Sequence, residues 1–316
     1  MESPPDGSSD APVAVTAAPS TADAQASERS LRAVLQDYLT MAKPEISSVV
    51  TLSAFAGFLI GSPAGLDVSV LFWSMLGTAL CAGGVGMLNH VLERRYDAQM
   101  KRTAQRPLPA DRANPDMARR VGILLICLAV GLLGPLVNVL TAVLAALTAV
   151  LYLFVYTPLK RTTKWNTLVG TVPGALPALG GYTAATGHLG AGGWVAFGIL
   201  ATWQMPHFLS LAWMYRRDYA RGDYAMLPVV EPDGDSTAAQ MIGFAALLVP
   251  VSILPILTKA AGWIYSTGVL PLGLWFLWTT VVFHGERTGQ QARRVLKASV
   301  LYIPVLVALL LVDWIL

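Results

Sequence analysis

The chain has 316 residues, of which 54% are hydrophobic and only 13% charged, and its mean hydropathy is +0.55. Soluble domains carry roughly 25% charged residues, so this composition excludes an ordinary soluble domain and predicts a membrane protein. The formal net charge of +3 at pH 7 gives little support to a nucleic-acid partner. Cys81 and Cys127 lie inside apolar runs without metal-site spacing.

The chain begins with a segment of low hydrophobicity. Residues 1–28 are rich in Ala, Ser, Pro and Asp, and no Lys or Arg precedes Arg29. This composition predicts a disordered tail followed by one transmembrane domain over residues 29–316. The tail lacks both the basic start and apolar core of a secretory signal and the arginines of a mitochondrial transit peptide. We therefore expect a multi-pass protein of a bacterial cell membrane.

About nine apolar stretches follow, each close to the ~20 residues that span a bilayer. They cover residues 46–63, 68–90, 119–137, 139–156, 166–186, 193–214, 240–258, 263–283 and 298–316. The third and fourth are separated only by a turn near Pro135 and Asn138. Glycines in the fifth, such as Gly170, Gly174 and Gly181, suit either a cavity wall or close helix packing. The pattern predicts an all-α, polytopic membrane protein.

The basic residues test this assignment. With the N-terminus in the cytoplasm and the C-terminus outside, only Lys259 of the 22 Lys and Arg residues falls on the outer side. This asymmetry agrees with the positive-inside rule. It predicts that the loops after the second, fourth and sixth spans are cytoplasmic.

The end of the second span carries the strongest chemical signal. Asn89, Glu93 and Asp97 recur every fourth residue and so lie on one face of a helix. Oxygen ligands of this kind can hold a hard divalent cation. Basic residues interleave with them or follow closely: Arg94, Arg95, Lys101, Arg102 and Arg106. Acidic residues that can bind a metal ion, next to basic residues that can bind an anion, suit a diphosphate substrate. A solvent-exposed helix end stabilised by salt bridges also fits the pattern.

Two further loops carry charge. After the sixth span, Asp218 and Asp223 stand five residues apart, which is not one helical face, and Gly222 indicates that a helix has ended. Asp218 is therefore the better metal ligand, unless this is an ordinary charged loop. After the fourth span, Lys160 and Arg161 could bind phosphate oxygens; topology alone would also place basic residues there.

Histidines inside apolar segments form the last group. His207 lies in the run Trp203-Gln-Met-Pro-His-Phe208, and His90 directly follows Asn89. His207 suits an axial ligand of a metalloporphyrin, a base, or a hydrogen-bonded structural histidine. Its depth in a membrane span keeps the functional interpretations open.

Together these motifs resemble the UbiA superfamily of intramembrane prenyltransferases from about residue 40 to the C-terminus. The family's first acidic motif is Asn-x3-Asp-x3-Asp, and here Glu93 replaces the middle Asp, which lengthens one ligand arm. Within the superfamily the match is closer to the members that act on haem. The carrying segments are Lys43-Pro44, Asp97–Thr103 with Arg106-Pro107, Tyr156–Arg161, Trp203–Phe208, and Asp218-Tyr219 with Met226–Val230.

The resemblance implies about nine helices around a central cavity, and farnesyl diphosphate, haem B and the lipid bilayer as partners, with a haem A synthase as a further one. On this basis we assign the catalytic and Mg²⁺-binding residues as Asn89, Glu93, Asp97 and Asp218. The predicted diphosphate-binding residues are Lys101, Arg102, Arg106, Lys160 and Arg161. The predicted haem-binding residues are His207, His90 and Trp203. Asp223 is left unassigned, because its segment departs from the family pattern.

Two other functions fit part of the sequence. A related enzyme that prenylates an aromatic quinone precursor would need the same acids and cations. A polytopic transporter would also carry acids and basic loops, but transporters bind their substrates near the midplane between internal repeats. The acids here cluster at one membrane surface, and no repeat is evident, so the sequence favours a prenyltransferase.

Overall fold

The computed structural model describes residues 30–63 and 65–315, and every element in this range is a helix. The contacts divide the chain into two units, Met1–Gln36 and Asp37–Leu316. The predicted tail of residues 1–28 lies outside the described residues. Apart from the start of the first helix, everything below concerns the second unit.

The helices, in chain order, have the following bounds. The first seven are α1 Leu31–Met41, α2 Pro44–Gly61, α3 Val68–Asp97, α4 Pro115–Leu136, α5 Val139–Val150, α6 Thr157–Leu159 and α7 Asn166–Thr186, with a π-helical segment at Leu151–Tyr156 between α5 and α6. The others are α8 Ala191–Met214, α9 Arg216–Arg221, α10 Leu227–Val230, α11 Asp235–Val251, α12 Leu254–Leu257, α13 Trp263–Glu286 and α14 Gly289–Ile315.

Within the described residues, eight helical stretches are long and apolar enough to cross a membrane. The remaining expected span, the fifth in chain order, forms α7 at the predicted bounds. Its threonines, glycines and two prolines lower its hydropathy. The second span was predicted to end at residue 90, whereas α3 continues to Asp97. The acidic motif therefore lies inside a regular helix.

Polar side chains begin several of these helices. Asp67 accepts hydrogen bonds from the backbone N–H groups of Ser69 and Val70, both at 3.0 Å, at the start of α3. Asn138 accepts one from Thr141 N at 2.9 Å at the start of α5. These caps satisfy N–H groups that have no partner within the helix. The predicted turn near Pro135 and Asn138 is confirmed.

Helices α2 and α7 cross at very short range. A Cβ atom added to Gly57 would lie 1.8 Å from the carbonyl oxygen of Ala178, and one added to Gly181 would lie 1.8 Å from that of Ala54. Only glycine permits this approach, which is the usual role of small residues between membrane helices. Close packing is therefore the role of Gly181.

Two apolar clusters hold the elements that carry the site. The larger cluster joins side chains from α2, α7, α8, α11, α13 and α14, among them Leu59, Met205 and Tyr302. A second cluster joins α3, α4, α5 and the π-helical segment through residues such as Cys81 and Leu153. The middle of α3, just before the acidic motif, and the π-helical segment are thus held in one packed unit.

Candidate active site

The acidic face lies on the last turns of α3. Asn89, Glu93 and Asp97 are spaced at i, i+4 and i+8 of this helix and are 1%, 7% and 1% exposed. The predicted common face is confirmed. The alternative, a solvated helix end, does not describe these side chains, because all three are buried.

Each of these three side chains meets a cation from a different part of the chain. Lys43 Nζ donates to Asn89 Oδ1 at 2.5 Å, and Lys160 Nζ donates to Glu93 Oε1 at 2.8 Å. Arg106 Nη1 donates to Asp97 Oδ2 at 2.8 Å. Burial of a charge is costly unless an opposite charge compensates it, so these pairs hold the face together.

Lys43 was identified from sequence only as part of a Lys-Pro segment, and not as a site residue. It precedes Pro44 at the start of α2 with φ 50°, a left-handed conformation that is unusual for lysine. Burial lowers the pKa of Lys43 to about 7, although the Glu93 carboxylate opposes this shift. The useful signal was a lysine next to a proline that opens an apolar helix.

Lys160 lies beside two tyrosines of the π-helical segment. Its Nζ is 4.7 Å from the centroid of the Tyr156 ring and 5.8 Å from that of Tyr152. Burial alone would lower the pKa of Lys160, but the Glu93 carboxylate and its hydrogen bond more than offset this and hold that pKa well above its usual value. Lys160 therefore carries a positive charge at neutral pH.

Two arginines that were predicted to bind phosphate, Arg102 and Arg161, also lie over tyrosine rings. The guanidinium of Arg102 lies 4.6 Å from the ring centroid of Tyr219, and that of Arg161 lies 4.3 Å from that of Tyr96 and donates to its hydroxyl. From the sequence, Tyr156 and Tyr219 were named only as parts of the family motifs, and no tyrosine was assigned to the site. The i, i+4 spacing of Tyr152 and Tyr156 was the available signal.

The second acidic segment, which carries Asp218, contacts the basic loop beside the acidic face through its backbone. Asp218 pairs with Arg221 at 2.7 Å on α9, which ends before Gly222 as predicted. The segment reaches the basic loop through a hydrogen bond from Ala225 N to Lys160 O at 2.8 Å. Lys101 is exposed to solvent. Within residues 30–63 and 65–315, no three His, Cys, Asp or Glu side chains form a preassembled metal site.

The acidic face nevertheless has the right chemistry for Mg²⁺. Asn89, Glu93 and Asp97 supply one amide and two carboxylate groups, and Mg²⁺ prefers oxygen donors of these types. Each of the three already accepts a hydrogen bond from a cationic group. The face is therefore suited to positive charge, and a divalent ion would replace side-chain cations there.

His207 and Trp203 pack toward α14. His207 Nδ1 lies 2.8 Å from Ser299 Oγ, and Trp203 Nε1 donates to Ser299 O at 2.8 Å. Ser299 Oγ donates its own proton to Leu296 O at 2.7 Å, so it accepts from His207 Nδ1–H. In this tautomer Nε2 of His207 carries the free lone pair.

His90 lies beside the acidic face and is 2% exposed. Its Nδ1 is buried and has no hydrogen-bond partner among the described residues. Such an atom usually marks a missing water or ligand. His90 and His207 lie on different helices, α3 and α8, and the structure does not join them in one site.

A bundle of membrane-crossing helices, one of which ends in buried acids paired with cations, is typical of a polytopic membrane enzyme. Residues 50–304 match the family model described as the UbiA prenyltransferase family, and the chain belongs to this family.

A relative from Salinibacter ruber (strain DSM 13855 / M31), named protoheme IX farnesyltransferase, is 89% identical over 281 residues. The match covers 89% of this chain and 99% of the relative.

Two solved structures share the fold at 17% identity each. One, described as digeranylgeranylglyceryl phosphate synthase, has a TM-score of 0.73 and covers 89% of this chain and 98% of its own. The other is a UbiA homologue from Archaeoglobus fulgidus bound to GPP and Mg²⁺, with a TM-score of 0.60 and coverage of 87% and 99%.

Proposed function

We propose that this protein transfers the farnesyl group of farnesyl diphosphate to a vinyl group of haem B, with addition of water, to give haem O and diphosphate. The observation that carries this proposal is the 89% identity to a protoheme IX farnesyltransferase across 99% of that relative's length. The buried acidic face with its three cations agrees with a diphosphate substrate.

Asn89, Glu93 and Asp97 would hold Mg²⁺ at the acidic face, with Asp218 as a further ligand. Bound there, Mg²⁺ would neutralise the negative charge that grows on the departing diphosphate. The fold neighbour bound to GPP and Mg²⁺ supports this pairing of ion and substrate.

The chain's own cations would then change partners. Lys43, Lys160 and Arg106 donate hydrogen bonds to Asn89, Glu93 and Asp97, respectively. With a divalent ion held there, the three side-chain cations would be free to bind phosphate oxygens, with which ammonium and guanidinium groups form strong charge-assisted hydrogen bonds. Arg102 and Arg161, which lie over tyrosine rings, and the exposed Lys101 would also bind the diphosphate.

Substrate binding must open the site. The cavity beside Glu93 has a volume of about 160 Å³ and is lined by Leu92, Leu153, Phe154 and Thr157, among others. Ligand pockets usually measure roughly 300–1,000 Å³, so we expect the acidic face to widen when the isoprenoid enters. The apolar lining would keep water from the reactive farnesyl group until the haem vinyl group attacks.

Haem B would be held by His207, with Trp203 stacked on its ring at 5.1 Å and 26°. The bond from Nδ1 to Ser299 leaves Nε2 of His207 available to iron. His90, whose Nδ1 lacks a partner, is the second haem-binding candidate. The reaction would take place on the cytoplasmic side of a bacterial cell membrane, with the C-terminus outside, and haem O would pass to a haem A synthase.

Product mass tests the proposal. Membranes that contain the protein are incubated with haem B, Mg²⁺ and isoprenyl diphosphates of several lengths, and porphyrins and quinones are analysed. We expect a porphyrin that gains one farnesyl group and one hydroxyl group, and none in membranes without the protein. A prenylated aromatic acid in its place would identify a quinone-type enzyme and overturn the assignment.

A further inference from the structure

The second acidic segment is fixed to the basic loop, residues 160–165, at a single residue. The chain between α9 and α10 is not helical around Ala225, so the backbone polar groups there need partners elsewhere. Both groups of Ala225 find them on the basic loop or on the residue that follows it. The N–H of Ala225 donates to Lys160 O at 2.8 Å, and its carbonyl accepts from Asn166 Nδ2 at 2.9 Å.

The side chain of Asn166, the first residue of α7, is held in place for this contact. Asn166 is 0% exposed. Its Nδ2 also donates to Thr163 O at 2.6 Å, and its Oδ1 accepts from Thr167 Oγ1 at 3.2 Å. These two bonds are local and fix the orientation of the amide. The bond to Ala225 reaches a residue 59 positions away, so it joins two loops that local sequence cannot bring together.

The neighbours of Ala225 connect it to the acidic face. Lys160, whose carbonyl accepts from Ala225, donates through Nζ to Glu93 at 2.8 Å. Tyr224, the residue before Ala225, packs edge-on against Tyr96 of α3, with ring centroids 6.1 Å apart and an interplanar angle of 67°. The second acidic segment is therefore tied to the acidic face through the backbone of the basic loop and through a ring contact.

We propose that Asn166 is a positioning residue that fixes the second acidic segment on the basic loop, so that Asp218 and Lys160 meet the Mg²⁺-bound diphosphate together. This inference rests on the proposed function, which assigns Asp218 to the ion and Lys160 to the phosphate. Asn166 acts through Ala225 and not on the reacting atoms. Groups that are already in their bound geometry lose less entropy on binding. Loss of the amide should therefore weaken binding of the ion and the diphosphate more than it slows the chemical step.

Steady-state kinetics of the full-length protein in nanodiscs tests this role. Diphosphate release is measured with haem B while the concentrations of Mg²⁺ and farnesyl diphosphate are varied. We expect Asn166→Ala to raise the apparent KM for both roughly five- to tenfold, the effect of one lost hydrogen bond, and to keep kcat within about threefold of the parent. Asn166→Ser is the second variant. Its side chain suits a helix start but is too short to reach Ala225, so it should give the same changes.

Asn138→Ala is the matched control. Nδ2 of Asn138 also donates to a distant carbonyl, that of Thr183, at 2.9 Å, but Asn138 lies at the start of α5 and outside the two loops. This variant should lose stability and leave both KM values unchanged. An unchanged KM in the two Asn166 variants, or an equal rise in Asn138→Ala, would overturn the proposal.

A distance measurement tests the contact without turnover. Spin labels are placed at Thr162 and Ala220, two exposed positions on the basic loop and α9, after Cys81 and Cys127 are replaced by Ser. Electron–electron double resonance without substrate should give a broader distance distribution in Asn166→Ala than in the parent and in the control. An equal width would overturn the proposal, whatever the KM values. Since this readout needs neither haem nor reaction, a different acceptor product would refute only the haem assignment.

Discussion

Lys160 Nζ lies 2.8 Å from Oε1 of Glu93, a residue 67 positions earlier in the chain. The contact joins the last turns of α3 to the basic loop that precedes α7. It pairs a carboxylate predicted to bind a metal with a lysine predicted to bind a phosphate. The carboxylate and the ammonium group therefore neutralise each other.

This pair predicts strong coupling in stability. Lys160→Met leaves the Glu93 carboxylate buried without its partner, and Glu93→Gln leaves the Lys160 ammonium group buried without its partner. Each variant should lower the free energy of unfolding by about 3–5 kcal/mol. The double variant should cost less than the sum of the two. Denaturant titration in detergent measures all three. Additive losses would show that the two side chains do not interact.

The acidic face predicts dependence on a divalent ion. Stringent chelation should abolish turnover, and added Mg²⁺ should restore it. Asp97→Ala should lose turnover while the protein still inserts and folds, because Asp97 supplies a proposed ligand. Asp116→Ala is the matched control, since this acid at the start of α4 is exposed and, among the described residues, forms an ion pair only with Arg119 at 3.4 Å in the same helix. Full activity of Asp97→Ala would remove the metal assignment.

The crossing of α2 and α7 predicts different effects at two adjacent glycines. Gly181→Ala places a methyl group against the Ala54 carbonyl, so we expect a loss of stability of about 1–3 kcal/mol or more. Gly180→Ala meets no atom within 4 Å and should be neutral or gain up to about 1 kcal/mol from helix propensity. Thermal unfolding of the two variants in the same detergent compares them. Equal effects would contradict the packing argument.

The bond between His207 and Ser299 predicts the spectrum of bound haem. If Nε2 of His207 binds iron, His207→Ala should change the visible and electron paramagnetic resonance spectra of haem added to the protein. Ser299→Ala should shift them less, because the imidazole loses only the partner that orients it. Unchanged spectra of His207→Ala would exclude it as the iron ligand.

Much of the fold could be predicted from apolar stretches and basic loops, since a bilayer permits only helices or closed barrels. The boundary error at the second span has a local cause. Because its polar residues keep helical spacing, α3 continues past the apolar stretch to Asp97. The seventh predicted span, residues 240–258, is one candidate membrane span over Asp235–Leu257, formed by α11 and α12 together. The N-terminal tail, the orientation of the chain and the ligands of the site stay predictions.

The sequence by itself determined the helical class and the common face of Asn89, Glu93 and Asp97, because hydrophobicity and the 3.6-residue period act along the chain. Only the tertiary structure decided which cation meets which acid, that Lys43 belongs to the site, and that His207 faces Ser299. Except for Asp97 and Arg106, which are close in sequence, the residues in these contacts are 46 to 92 positions apart along the chain. Helix packing, and not local sequence, brings such distant residues together.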